Sequence, residues 1–176
     1  SANENIAIGT RTLLTNTTGA ANVGMGYRSL YFNTTGSKNV AIGNQNLYRN
    51  TTGRMNVAIG YLTLQNNTFG NYNIAAGHQT LFNNTTGTSN VAIGHDAGKS
   101  NTIGQQNIAI GTSALISNTT GNFNVAIGSC ALEKNTTGQP NVAIGYLTMR
   151  CNTIGDANVS IGDQAMMLNT TGRFNV

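Results

Sequence analysis

The chain has 176 residues, of which 8% are charged and 6% aromatic, and it is rich in glycine, asparagine and threonine. An ordinary layered globular domain contains more charged and aromatic residues than this. The formal net charge is +4, but Lys and Arg are scattered along the chain without forming a basic stripe. We therefore expect no nucleic-acid partner. β-Branched residues recur at fixed places, which argues against a disordered low-complexity chain.

Glycine alone reveals an internal repeat. One set of ten glycines occurs every 17 residues from Gly9, and a second set of ten has the same spacing from Gly19. Only Gly24 and Gly98 fall outside these sets. We interpret residues 1–176 as a single tandem repeat array without insertion or deletion, and as a fragment of a longer fibre. The repeats start near residues 5, 22, 39, 56, 73, 90, 107, 124, 141 and 158.

Each repeat opens with a short apolar segment. We number the repeat positions 0 to 16 from the asparagine that begins each copy, so that Asn39 is at position 0 and Gly43 at position 4. Position 1 is Val or Ile, position 2 is nearly always Ala, and position 3 is mostly Ile. This pattern predicts a short β-strand with large side chains on one face and small ones on the other. Two glycines in every 17 residues exclude a helix, because each costs about 1 kcal/mol.

The rest of each repeat predicts a second strand and two turns. Position 7 is usually small and position 8 is Leu or Met in all but one copy, so a second strand is expected there. Positions 11 to 14 read Asn-Thr-Thr-Gly or a close variant, in which asparagine bonds local backbone and glycine is free to take positive φ. We predict an all-β parallel solenoid of about ten coils, with two short strands per coil and coils about 4.8 Å apart.

Stacked coils would place identical asparagines directly above one another. Each side-chain amide then donates to the next, which satisfies polar groups that would otherwise be buried without partners. Thr at position 12 would form a third column. We expect asparagine ladders at positions 0 and 11, with these representative members: Asn39, Asn56 and Asn73, and Asn50, Asn67 and Asn84.

The first strand has no polar face. Ala at position 2 packed against Leu at position 8 would fill a thin interior, which leaves Val and Ile of positions 1 and 3 pointing away from it. Such a stripe would exceed the few hundred Å² of exposed apolar surface that a monomer usually tolerates. We therefore expect other chains to cover it.

The motif Asn-Val-Ala-Ile-Gly, followed by a small residue and a leucine, resembles the head repeats of trimeric autotransporter adhesins, whose period is shorter. Its longer form, which ends in Asn-Thr-Thr-Gly, is similar to repeats of phage, viral and bacterial fibre proteins. The resemblance spans the whole chain and implies a left-handed parallel β-roll in which three chains pack around one axis. It implies that the following residues line a homotrimer core: Val40, Ile42, Val57, Ile59, Val91, Ile93, Val125, Ile127, Val142 and Ile144.

No group of residues predicts catalysis, a cofactor or a bound metal. The five acidic residues lie at different repeat positions, so no pair of carboxylates is available for general acid–base chemistry. His78 and His95 share position 5 in adjacent repeats, with Asp96 beside the second, but no cysteine or further carboxylate joins them. Cys130 and Cys151 occupy different positions, which leaves a disulfide between them open.

The variable outward positions are the expected binding surface. Aromatic and basic residues spaced along a rod suit weak multivalent binding to host glycans or matrix proteins. The segment 95–101, in which Gly98 replaces leucine, is expected to be a local bend or a contact site. The candidate contact residues are Tyr27, Tyr61, His78, His95 and Tyr146 at position 5, and Tyr31, Tyr48 and Phe82 at position 9.

These features predict a structural and adhesive segment of an extracellular fibre, on a cell or virion surface, that is a rigid spacer and not an enzyme. No membrane segment is expected, because no apolar run reaches 18 residues. Two alternatives stay open: an ice-binding solenoid that uses threonine columns, and a filament subunit whose coil ends stack on one another. Asn-Thr-Thr also matches the N-glycosylation sequon, although an amide held in a ladder is difficult to modify.

Overall fold

The computed structural model describes residues 4–176 as one parallel β-solenoid. Each 17-residue repeat makes one turn, and there are about nine turns. The strands form a single ten-stranded sheet in which each strand pairs with the next one along the chain. Residues 4–176 contain no helix, and hence no helix that could span a membrane.

Every strand comes from the same part of its repeat, and neighbours pair in register. Val40 lies opposite Val57 and Ile42 opposite Ile59, so like residues stack on like. The strands are β1 (Ile6–Ile8), β2 (Val23–Met25), β3 (Val40–Asn44), β4 (Val57–Tyr61), β5 (Ile74–His78), β6 (Val91–Ile93), β7 (Ile108–Ile110), β8 (Val125–Ile127), β9 (Asn141–Ile144) and β10 (Asn158–Ile161).

The predicted second strand of each coil is wrong. Within residues 4–176, positions 6 to 9 form turns, and the backbone takes positive φ at positions 6 and 8, as in Leu62 (55°) and Leu64 (50°). Positive φ interrupts the extended geometry that a strand needs, and it is uncommon for leucine. Successive coils are nevertheless joined here, since the Leu64 amide donates to the carbonyl of Thr80 over 3.0 Å.

The interior is thin, as the small and large residues predict. Ala at position 2 and Leu or Met at position 8 form one continuous buried cluster, in which Ala58 and Leu64 are fully buried. Gly98 interrupts the leucine column and leaves a cavity of about 10 Å³, lined in part by Leu81 and Leu115. The interior therefore has a local packing defect at the one repeat whose sequence departs most from the rest.

The two glycines of each repeat serve different purposes. Gly60 at position 4 has a φ of 130°, a conformation that residues with a side chain rarely adopt. Positive φ was also expected at position 14, but this prediction is wrong, because Gly70 and its equivalents do not have it. A Cβ atom on Gly70 would overlap Oδ1 of Asn67 and lie 2.5 Å from the carbonyl oxygen of Gly87. Position 14 thus requires glycine because the backbone approaches its neighbours closely.

Candidate contact surfaces

The outward-facing side of the sheet carries columns of valine and isoleucine. We call this surface, formed by positions 1 and 3 of β1 to β10, the outer sheet face. At position 3, Ile42 is 37% exposed, and Ile59 and Ile93 are each 43% exposed. Ala76 breaks the column between the last two. All the residues that the resemblance assigns to a trimer core lie on this face: Val40, Ile42, Val57, Ile59, Val91, Ile93, Val125, Ile127, Val142 and Ile144.

The asparagines at position 0 are hydrogen-bonded from coil to coil. The Nδ2 of Asn56 donates to Oδ1 of Asn39 over 3.1 Å, and the Oδ1 of Asn56 accepts from both the backbone and the side-chain nitrogen of Asn73. Asn39, Asn56 and Asn73 are fully buried. Each side chain therefore satisfies a backbone amide as well as its equivalent in the next coil.

The asparagines at position 11 form a parallel second ladder. Asn67 donates to Oδ1 of Asn50 over 2.9 Å, and Asn84 donates to Oδ1 of Asn67 over 2.8 Å. Asn56 and Asn67 both donate to the carbonyl oxygen of Gly70, so the two ladders meet at the position-14 glycine. Asn50 is fully buried, which leaves the amide nitrogen of its sequon inaccessible.

The position-12 threonines are also linked along the rod, but through the backbone. Thr51 Oγ1 donates to the carbonyl oxygen of Thr68 over 3.1 Å, and Thr68 Oγ1 donates to that of Thr85 over 3.1 Å. The hydroxyl protons of this column are thus used within the solenoid. At position 13, Phe69 and Ile103 interrupt the second threonine column. Neither column is an uninterrupted row of hydroxyl donors directed to solvent.

Position 5 carries a short stack of rings. Tyr61 and His78 stack with centroids 5.2 Å apart, and His78 and His95 stack at 4.7 Å with only 4° between their planes. In-register coils produce this arrangement, because equivalent residues of adjacent coils lie side by side. Tyr27 and Tyr146 share the position and are exposed, and Arg28 lies over the Tyr27 ring at 4.9 Å.

Positions 9 and 10 form an aromatic cluster near the first coils. Tyr31 and Tyr48 lie 5.3 Å apart, and Phe32 packs edge-on against both at 4.7 and 5.1 Å. The guanidinium of Arg28 lies 5.8 Å from the Tyr31 ring. Phe32, Tyr48 and Arg49 line an open groove together with threonines of positions 10 and 12. We call Tyr31, Phe32 and Tyr48 the aromatic cluster.

Several exposed residues are missing from the sequence prediction. Phe32 of the groove lies at position 10 and was not among the predicted contact residues. A further row of exposed apolar residues runs along positions 13 and 16. Its signal in the sequence is the recurrence of large apolar residues near the position-14 glycine, on both sides of it. Its members are Met55, Phe69, Tyr72, Ile103, Phe123 and Ile154. Phe82, which was predicted as a contact residue, is half-buried.

Charged groups pair along the rod. Arg150 donates to Glu133 of the previous coil, and this bond and the negative charge raise the pKa of Arg150. Arg173 lies 3.3 Å from Asp156 in the same way. Cys130 and Cys151 are free thiols.

Comparison of the chain with protein-family models, with curated protein sequences and with solved structures finds no significant match.

Proposed function

We propose that this solenoid is a structural and adhesive segment of an extracellular or virion surface fibre, in which three copies associate through their outer sheet faces. The observation that carries the proposal is the exposed isoleucine column of the sheet, in which Ile42, Ile59 and Ile93 repeat at one position. Burying a whole isoleucine side chain contributes about 1.5–3 kcal/mol. At 43% exposure, Ile59 alone has about 1 kcal/mol still to gain, and the column repeats this along the rod.

The hydrogen bonds between successive coils support the role of a rigid spacer. Successive coils are joined at the sheet, at the turn that contains Leu64 and along both asparagine ladders. Bending the rod would have to stretch several of these hydrogen bonds at once. Such an array suits a fibre that holds binding groups at a fixed distance from a surface.

The adhesive role is supported by the aromatic cluster and its arginines. Aromatic rings present apolar faces to sugar rings, and Arg49 in the adjoining groove adds hydrogen-bond donors. Several such weak contacts on one rod, multiplied by three chains, would give avidity. We propose glycans as the ligand class. Replacing Tyr31 and Tyr48 by serine is expected to abolish binding on a glycan array, whereas Tyr72→Ser on the position-16 row leaves it unchanged.

Association is tested by light scattering of matched double variants. The unmodified protein is expected to have three times the chain mass of 18.4 kDa. Ile59→Glu with Ile93→Glu places charges on the outer sheet face and is expected to give monomers. Ile103→Glu with Ile154→Glu changes isoleucines of another face that are at least as exposed, and this variant is expected to stay trimeric. A monomeric unmodified protein would refute the proposal, and an open-ended size distribution would favour a filament.

A further inference from the structure

Two histidines and an aspartate meet on the surface between adjacent coils. Three potential metal-binding atoms, one from each of His78, His95 and Asp96, lie within 4.8 Å of one another. The chain distance between the histidines is one repeat, so the coil geometry brings them together. Their imidazole rings lie face to face with parallel planes, and both side chains are exposed.

The chemistry of this donor set suits a divalent transition metal. Imidazole nitrogen and carboxylate oxygen are ligands of Zn²⁺ and Cu²⁺. The Nδ1 of His95 lies 3.3 Å from Oδ2 of Asp96. A carboxylate at this ring nitrogen fixes the ring and leaves Nε2 free, which is the arrangement that metal-binding histidines commonly have. Asp96 is therefore placed to orient one of the two ligands.

The second oxygen of the Asp96 carboxylate is paired with a lysine. The Oδ1 of Asp96 is buried and accepts no hydrogen bond within residues 4–176, but Lys99 Nζ lies 3.2 Å from it as an ion pair. Asp96 is thus in contact on two sides, with Lys99 and with His95, as suits a residue that positions His95 and does not itself bind the ion.

We propose that His78 and His95 bind one divalent ion of the zinc and copper class, with Asp96 holding His95 in position and water completing the coordination. Zn–N bonds of about 2.1 Å allow the two nitrogens to be at most about 4.2 Å apart. The stacked rings therefore tilt toward each other on binding, which exposed side chains on a turn can do. The site differs from the proposed glycan surface, and its presence does not depend on that function. From the sequence no metal site was expected, because a stacked histidine pair on a surface turn is ordinary and no cysteine or second carboxylate joins it; the contact of Asp96 with His95 is what the structure adds.

The test is calorimetric titration of the untagged protein with ZnCl₂, supported by electron paramagnetic resonance of the Cu²⁺ complex. One ion per chain is expected, with two nitrogen ligands in the Cu²⁺ spectrum. His78→Ala and His95→Ala should each weaken binding by about tenfold or more and leave one nitrogen ligand. Asp96→Asn, which keeps a side chain that tolerates positive φ, should weaken binding less.

A rescue variant separates this site from nonspecific binding. Thr112 is at position 5 of the next coil, so Thr112→His in the His78→Ala background pairs a new imidazole with His95 and should restore the roughly tenfold loss of affinity. Tyr61→Ala removes the ring on the other side of the pair without removing a ligand and should change the affinity little. Circular dichroism of each variant checks the fold. Unchanged Zn²⁺ affinity in both histidine variants, or no rescue by Thr112→His in the His78→Ala background, would overturn the proposal.

Discussion

Removing one asparagine from the position-0 ladder should destabilise the solenoid far more than removing a surface asparagine. Asn56 is fully buried and makes four side-chain hydrogen bonds. Its Nδ2 donates to Oδ1 of Asn39 and to the carbonyl oxygen of Gly70, over 3.1 and 2.9 Å. Its Oδ1 accepts from the backbone N–H of Asn73 over 3.0 Å and from the Asn73 side chain over 3.1 Å.

The cost of Asn56→Ala follows from which partners have a substitute. Gly70 keeps the bond from Asn67, and the Asn73 side chain keeps its bond to Gly87. The backbone N–H of Asn73 loses its acceptor in a buried environment. With net contributions of about 0.5–1.5 kcal/mol for each bond, and one buried donor left unpaired, we expect a loss of about 2–5 kcal/mol.

Urea unfolding followed by circular dichroism measures this loss, at one fixed chain concentration because the proposed association would contribute to stability. The matched control is Asn66→Ala, since Asn66 is half-buried and makes a single 3.3 Å side-chain bond to Asn83. The control is expected to change stability by less than about 0.5 kcal/mol. Hydrogen exchange should locate the Asn56→Ala effect in the coils on either side. Equal losses in the two variants would refute the structural role of the ladder.

Further substitutions test the glycines and the interior. Gly70→Ala should destabilise by more than about 2 kcal/mol, because its Cβ would meet the Gly87 carbonyl at 2.5 Å. An unchanged unfolding midpoint would contradict this close approach. Gly98→Leu should lower stability by about 1–3 kcal/mol, because four side-chain carbons would have to enter a cavity of about 10 Å³, which has room for about one water. Even its Cβ atom would lie 3.0 Å from Cδ2 of Leu81. A higher melting temperature would show that the interior repacks around the added leucine. Leu64→Ala should cost about 2–5 kcal/mol, as expected for a buried leucine, and a smaller loss would mean that the interior collapses around the gap.

Much of the fold could be predicted because the repeat fixes the stacking. Because equivalent residues of adjacent coils lie above one another, Asn56 has to stack on Asn39. The alternation of Val57, Ala58 and Ile59 then decides which side chains point into the interior. Spacing and residue size carry this information directly. The parallel solenoid, its 17-residue turn and its thin interior all follow from them.

No residue type in the sequence signals the two backbone features that were not predicted, the positive φ at positions 6 and 8 and the close approach at position 14. Leu62 and Leu64 adopt positive φ although leucine gives no advantage there, because the coil must close within 17 residues. The small–large alternation of positions 7 and 8 therefore looked like a strand. At position 14 glycine indicated a turn, whereas close approach of the backbone to Asn67 is the actual constraint.

The contact surfaces were only partly predictable for a similar reason. The stacked pair of His78 and His95 could be predicted from the repeat, but the contact of Asp96 with Nδ1 of His95 depends on side-chain directions. Phe32 completes the aromatic cluster from a position without any regular pattern. Repetition reveals what is constant along the rod, while the proposed recognition would use residues that differ between copies.

Site-specific cross-linking tests most directly whether other copies of the chain cover the outer sheet face. In a background with Cys130 and Cys151 replaced by alanine, Ile59→Cys places one thiol on this face and Ile103→Cys places one on the position-13 row. Three parallel chains around an axis bring the residue-59 thiols of different chains together. Mild oxidation should therefore yield disulfide-linked chains for Ile59→Cys and none for Ile103→Cys. Cross-linking at residue 103 alone, or at neither residue, would contradict association through the outer sheet face.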